Sequence, residues 1–172
     1  MDEGFFLWLE KLHIGWTSAA VPSAPHTMYK PGAAWMRGER PCMTPEAKEW
    51  LRQAKENLKD ARAMLRTRRY VFADFACHLA VEKALKAVIV ERTGAPPPRR
   101  HNLIELAGVG QAPLTQIQTE FIAELNMAAL GARYPDKLSQ AAKQYPGPTI
   151  SEYVKKAGEI IKCLETAPPL KV

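Results

Sequence analysis

The feature that most constrains this chain is one stretch, FADFACHLAVEKALKAVIVERTG, from Phe72 to Gly94. Its apolar residues cover nearly the whole circumference of a helix instead of forming a stripe. A helix of that kind belongs at the centre of a bundle, where neighbours cover every side. One line of ionisable groups interrupts it: Asp74, His78, Glu82 and Lys86 recur at steps of four. Four residues turn a helix by about 400°, so these side chains form a slowly drifting ridge of adjacent pairs. Two readings stand. In the first, the ridge is a ladder along the groove between neighbouring helices, each exposed pair contributing roughly 0.3 kcal/mol. In the second, the ridge is buried, its charges pair or line a cleft, and His78 and Lys86 meet an anion at a dimer or partner interface.

From Met43 onward the chain reads as helix. Thr44-Pro45-Glu46 supplies an N-cap, a proline at the first helical position and an acid in the first turn. Trp50, Leu51, Ala54, Leu58, Ala61 and Leu65 mark the inner face of a helix reaching Arg68. The second helix runs from Tyr70 to Arg92 and stops at Gly94. Pro96-Pro97-Pro98 makes a stiff connector to a short helix over Asn102 to Ala107. Leu114, Ile117, Phe121, Leu125 and Ala128 predict a helix from Pro113 to Gly131, which Pro135 prevents from continuing. Thr149 and Glu152 have the spacing of a capping box for a last helix with Ile150, Tyr153, Ala157, Ile160, Ile161 and Leu164 inward. No segment alternates as a strand does. The expected fold class is all-α, a bundle of four to five antiparallel helices with a short connecting helix.

Residues 1–42 follow a different grammar. They hold Trp8, Trp16 and Trp35, and VPSAPHTMYKPGAAW is broken by prolines and a glycine. The domain is expected to occupy 43–172, with 1–42 either an upstream start that is not translated, a poorly ordered extension, or a tether whose tryptophans dock. The segment opens Met1-Asp2-Glu3, unlike a basic secretory leader, and no apolar run nears the ~20 residues that span a bilayer. Cys42, Cys77 and Cys163 are odd in number and widely spaced, which suits reduced thiols and a cytoplasmic protein with no membrane association. The net charge of +6 lies wholly beyond residue 42, with local runs at Arg66-Thr67-Arg68-Arg69 and Arg99-Arg100-His101. A basic surface suits an anionic partner, although cationic helix ends on an ordinary protein give the same charge.

Several chemistries are missing from the pattern. There is no Glu-x-x-His pair of a di-iron bundle, no His-Glu-x-x-His and no paired-cysteine zinc spacing, so no metal is expected. GVGQAP, Gly108 to Pro113, lacks a third glycine and a preceding strand, so it is no dinucleotide loop. No lysine-bearing phosphate loop occurs, and no cofactor is expected. Cys77 and His78 point about 100° apart on a helix and make a poor thiolate–imidazole pair.

FADFACHLAVEKALKAV with ERTG, a proline-bearing connector, HNLIEL and later ALGARYPD, taken in order, resemble a HEPN domain over Thr44 to Glu165. That is the small helical module found beside minimal nucleotidyltransferases in bacteria and archaea. The resemblance implies a helical bundle, a homodimer, and a link to nucleotides as partner of a minimal nucleotidyltransferase in a toxin–antitoxin-like pair. A subset of HEPN proteins are metal-independent ribonucleases, which carry an arginine a few residues before a histidine where two protomers meet. Here the positions before His78 are Val71, Phe72 and Ala73, and those before His101 are Gly94, Ala95 and Pro96. Leu138, Ser139 and Gln140 stand where Arg133 would need its histidine. Without that imidazole, cleavage of RNA lacks its general base.

The candidate nucleotide or anion contacts are therefore Arg133, Tyr134 and Asp136, then Arg99, Arg100 and His101, with the ridge Asp74, His78, Glu82 and Lys86 at an interface or cleft. Arg133 beside Tyr134 suits a phosphate and a stacked base, while Asp136 orients the arginine or begins a turn. His101 follows two arginines at a helix start, where Asn102 can cap. No residue is assigned as catalytic. The expected activity is that of a non-catalytic, dimeric module that binds a nucleotidyltransferase and an ATP-like nucleotide or RNA. The alternative is a metal-independent ribonuclease with a degenerate site, and a plain helical scaffold with no nucleotide link is the third reading.

Overall fold

The computed structural model describes residues 43–133 and 145–166, with the backbone alone over 130–133. The expectations for residues 1–42, Tyr134, Asp136 and the loop between the last two helices lie outside the described residues. Among the described residues five helices follow in order: α1 (Pro45–Arg66), α2 (Tyr70–Thr93), α3 (Leu103–Val109), α4 (Gln116–Arg133) and α5 (Gly147–Glu165). Among the described residues there is no strand. The fold is all-α.

Local chemistry sets the ends. The Thr44 hydroxyl accepts from the Ala47 amide at 3.3 Å and Pro45 takes the first helical position, as an N-cap followed by proline requires. α2 ends where Gly94 turns left-handed at φ 63°, its amide donating to the Val90 carbonyl at 2.9 Å. The last helix departs from expectation. It begins at Gly147 with Pro146 as cap, so Thr149 already lies inside the first turn and no side chain caps it. The Pro146 carbonyl accepts from the Ile150 amide at 3.1 Å, which places the helix start two residues before the Thr149–Glu152 box. α4 also differs at both ends, starting at Gln116 and continuing past Gly131 to Arg133.

Burial follows the all-round apolar surface of α2. Ala73, Ala76, Cys77, Ala80, Val81, Ala84, Leu85 and every residue from Ala87 to Val90 are buried. α1, α3, α4 and α5 all pack on α2, and α1 and α4 each also pack on α5. Leu51, Ala54, Leu58 and Ala61 of α1 and Ile150, Val154, Ala157, Ile160, Ile161 and Leu164 of α5 complete the core. Each Leu, Ile or Val so buried contributes roughly 1.5–3 kcal/mol relative to exposure. The inner stripe of α4 is Phe121, Ile122, Leu125 and Ala129, and Ile117, expected inward, is 73% exposed in the first turn.

The C-terminal end of α2 is tied to its neighbours. The Thr44 amide donates to Glu91 Oε2 at 2.8 Å. Arg92 donates to the carbonyls of Gly110 and Gln111 beyond α3. The Arg92 bonds tie the end of α2 to the far end of α3, and the connector between these two helices carries part of the site.

Candidate functional site

The ridge on α2 is buried throughout, Asp74 at 0% exposed and His78, Glu82 and Lys86 close behind. The solvent-exposed ladder is therefore not what forms. Its centre is Glu82. Lys86 Nζ donates to Glu82 Oε1 at 2.8 Å one turn away, and His78 Nδ1 stands 3.8 Å from Oε2, within ion-pair range. Lys86 Nζ also lies 5.5 Å from the centroid of the Trp50 ring, a cation–π contact from α1.

His101 joins the same carboxylate from the connector. Its Nδ1 is 3.1 Å from both Glu82 oxygens. Burial pushes the Glu82 carboxyl up, but the hydrogen bonds from Lys86 and His101 and the charges of both outweigh it, so it titrates below the usual carboxylate range. An ionised carboxylate only accepts, so Nδ1 of His101 carries the proton in this contact. The ring is 61% exposed, which leaves Nε2 as the nitrogen available to solvent. Glu82 thus holds one nearly buried ammonium and one exposed imidazole.

The two arginines before His101 are placed differently. Arg100 is paired with Glu105 in the first turn of α3, while Arg99 is exposed beside it. The α3 amides are occupied from within: Asn102 Oδ1 accepts from Ile104 at 3.0 Å and Glu105 at 3.3 Å, and Asn126 Oδ1 accepts from Leu103 at 3.1 Å. The helix start beside His101 therefore offers a phosphate no spare backbone donors, and Asn102 acts as the cap.

Asp74 stands apart from this centre. Neither of its oxygens has a hydrogen-bond partner among the described residues, and burial pushes its carboxyl up to about 7. Its charge reaches Tyr145 and Tyr153, both raised by burial first and by Asp74 in addition. Those two tyrosines are themselves fixed, Tyr145 Oη donating to the Ala128 carbonyl at 2.6 Å and Tyr153 Oη to Glu124 Oε1 at 2.5 Å. Tyr153 also meets the Phe121 ring edge-on at 5.4 Å. The structure thus divides the ridge in two: Asp74 is buried without a hydrogen-bond partner among the described residues, and Glu82 with Lys86 meets the connector and α1.

Arg133 is the last residue of α4 and only its backbone is described; Tyr134 and Asp136 lie outside the described residues. Sequence reasoning missed Trp50 as a partner of Lys86, since a tryptophan at that spacing reads as core. It also missed Glu124 as the acceptor for Tyr153. The thiol of Cys77 is fully buried and pushed up to about 12, by burial first and then by the Asp74 charge, which suits packing and not nucleophilic chemistry. Among the described residues no three His, Cys, Asp or Glu side chains gather as a metal-ligand set, and no helix is long and apolar enough to cross a membrane.

Comparison with known proteins places this architecture. No curated protein matches the chain significantly. Among solved structures the chain is similar to TT1696 from Thermus thermophilus, with 27% identity and a TM-score of 0.64 over 71% of this chain and 98% of that one. It is also similar in fold to ST0689, an archaeal HEPN homologue, with 20% identity and a TM-score of 0.54 over 69% of this chain and 94% of that one. The family model for the HEPN domain matches residues 47–167, well over half of the sequence and all five helices almost entirely. The chain belongs to the HEPN domain family.

Proposed function

We propose that this protein is a non-catalytic HEPN module that forms a homodimer, binds a minimal nucleotidyltransferase in a toxin–antitoxin-like pair, and contacts a nucleotide. The observation that carries this reading is the arrangement about Glu82. Its carboxylate is shared between Lys86 at 2.8 Å and His101 at 3.1 Å, so both side chains are held in place and neither is set beside an arginine at ribonuclease spacing. A phosphate would meet this corner on its exposed side, at the His101 ring and the exposed Arg99 side chain. Arg133, Tyr134 and Asp136 are retained as further nucleotide contacts on the strength of their residue types and spacing. ATP titrated into the full chain by calorimetry is the test. Saturable heat that is lost in Lys86→Met and in His101→Ala supports the reading; heat that is absent, or unchanged in both variants, refutes it.

A second reading is favoured by one observation. The exposed His101 ring has its Nδ1 on a carboxylate and its Nε2 left to solvent, the orientation in which an imidazole can take a proton from a ribose hydroxyl. A metal-independent ribonuclease with a degenerate site would use it so. Cleavage of RNA in the presence of a chelator, abolished in His101→Ala or in Arg133→Ala, would replace the first reading with this one.

A further inference from the structure

The Arg66–Arg69 run takes no part in the Glu82 site, yet it is placed with more care than a solvated helix end needs. Arg62 and Arg66 lie one turn apart on α1, and Arg68 and Arg69 complete the turn into α2. All four side chains are exposed. None has a hydrogen bond or an ion pair among the described residues, whereas other exposed cations of α1, Arg52, Lys55 and Lys59, are each paired with a glutamate. No acid occurs between Ala61 and Ala73. In the first turn of α2, three residues after Arg69, Phe72 is 53% exposed, and the other exposed large hydrophobics among the described residues lie on α3 and α4.

The turn is rigid. The Arg69 amide donates to the Met64 carbonyl at 2.8 Å and the Arg68 amide to the Leu65 carbonyl at 3.0 Å, the paired closure of a helix C-terminus in which the next residue turns left-handed. That residue is Arg68, at φ 58°, where glycine carries no steric cost. Thr67 Oγ1 adds bonds to the Ala63 and Met64 carbonyls. Arg62 and Arg66 are about 6 Å apart along the helix axis, comparable with the separation of successive backbone phosphates. At Gly158 of α5 an added Cβ would stand 3.4 Å from Arg62 Nη2, so that guanidinium lies along the side of α5.

We propose that the α1–α2 turn is a docking surface for the phosphodiester backbone of a single-stranded nucleic acid, with Arg62, Arg66, Arg68 and Arg69 on phosphates and Phe72 as a stacking platform for a base. Guanidinium forks match phosphate oxygens in pairs, and an aromatic ring among them is the pattern by which single strands are held without sequence preference. A membrane surface is the poorer fit, since it calls for a row of large apolar side chains and here there is one. The turn lies about 18–24 Å along α2 from Glu82 and Lys86. The inference does not rest on the nucleotide reading of that centre.

The test is fluorescence anisotropy of labelled single-stranded RNA and single-stranded DNA of the same sequence with the full chain over a series of salt concentrations. Phosphatidylserine vesicles are the control surface. With four phosphate contacts, the plot of log affinity against log salt should have a slope of about −3. The double variant Arg66→Glu, Arg69→Glu should bind at least about tenfold more weakly and lose about half of that slope. Phe72→Ala should bind about tenfold more weakly with the slope kept. The milder pair Arg66→Gln, Arg69→Gln should move in the same direction, and circular dichroism checks that each variant folds. Equal binding of the two strands, or a preference for RNA, supports the surface and names its source. Binding unchanged in the arginine variants, binding lost instead in Lys86→Met, or vesicle binding with no oligonucleotide binding would overturn it.

Discussion

Glu82 and His101 are nineteen residues apart, and Nδ1 of the histidine sits 3.1 Å from both oxygens of the carboxylate. The same carboxylate accepts Lys86 at 2.8 Å from within its own helix. One buried acid therefore joins α2 to the connector that precedes α3. Removing it strands a nearly buried ammonium, a change that costs about 3–5 kcal/mol for a buried pair. Glu82→Gln should lower the denaturation midpoint accordingly, and Glu82→Gln with Lys86→Met should recover most of the loss. Equal stability of wild type and Glu82→Gln in chemical denaturation would contradict the assignment.

The two buried carboxyls act on stability in opposite pH ranges. Glu82 is depressed by its partners, so its contribution is present above the ordinary carboxylate range and fades as pH falls through its lowered value. Asp74 is raised to about 7 by burial, so the folded protein holds that proton more tightly than the unfolded chain does. Stability should fall as pH rises from the ordinary carboxylate range to about 7, by on the order of 4 kcal/mol, and level off above. In Asp74→Asn that decline should be absent. Thermal melts across pH that run parallel for the two proteins would refute the role given to Asp74.

Arg68 holds a left-handed backbone at φ 58° in the turn after α1. Replacing it with glycine relieves a Cβ clash worth roughly 1–2 kcal/mol, offset in part by the greater freedom of glycine in the unfolded chain. Arg68→Gly is thus expected to raise stability by up to about 1 kcal/mol, read by urea denaturation. A loss of stability would show that the arginine side chain contributes to the fold.

Gly147 begins α5 against the Tyr70 ring of α2. A Cβ there would stand 2.8 Å from Tyr70 Cζ and from its hydroxyl, so one of the two must move. Gly147→Ala should cost about 1–3 kcal/mol as overpacking does, and Tyr70→Ala in the same chain should remove that increment. If Gly147→Ala costs the same with and without Tyr70, the contact is not the cause.

What could be read from residues alone follows from the range of the interactions involved. Thr44, Gly94 and Asn102 act on amides or carbonyls within four residues, and each ends its helix as the local pattern implies. The all-round apolar surface of α2 likewise announced a central helix. The capping box at Thr149 did not form because a competing local start, Pro146 followed by Gly147 against Tyr70, lies two residues upstream. Partners brought by folding left no trace in the spacing. Nothing in a four-residue ridge shows that its third member will be met by His101 or its fourth by Trp50. The burial of the ridge was one of two readings, and only the packing of four helices about α2 decides between them.

Under the proposed function, this HEPN module would bind a protein partner and leave RNA uncut. The most direct measurement is isolation of the full chain from the cells that encode it, with co-purifying proteins and nucleic acid both identified and their stoichiometry determined. A nucleotidyltransferase recovered in constant ratio with the chain is the predicted result. Recovery of trimmed RNA with no such protein would contradict that reading and favour the ribonuclease alternative, in which His101 takes the proton.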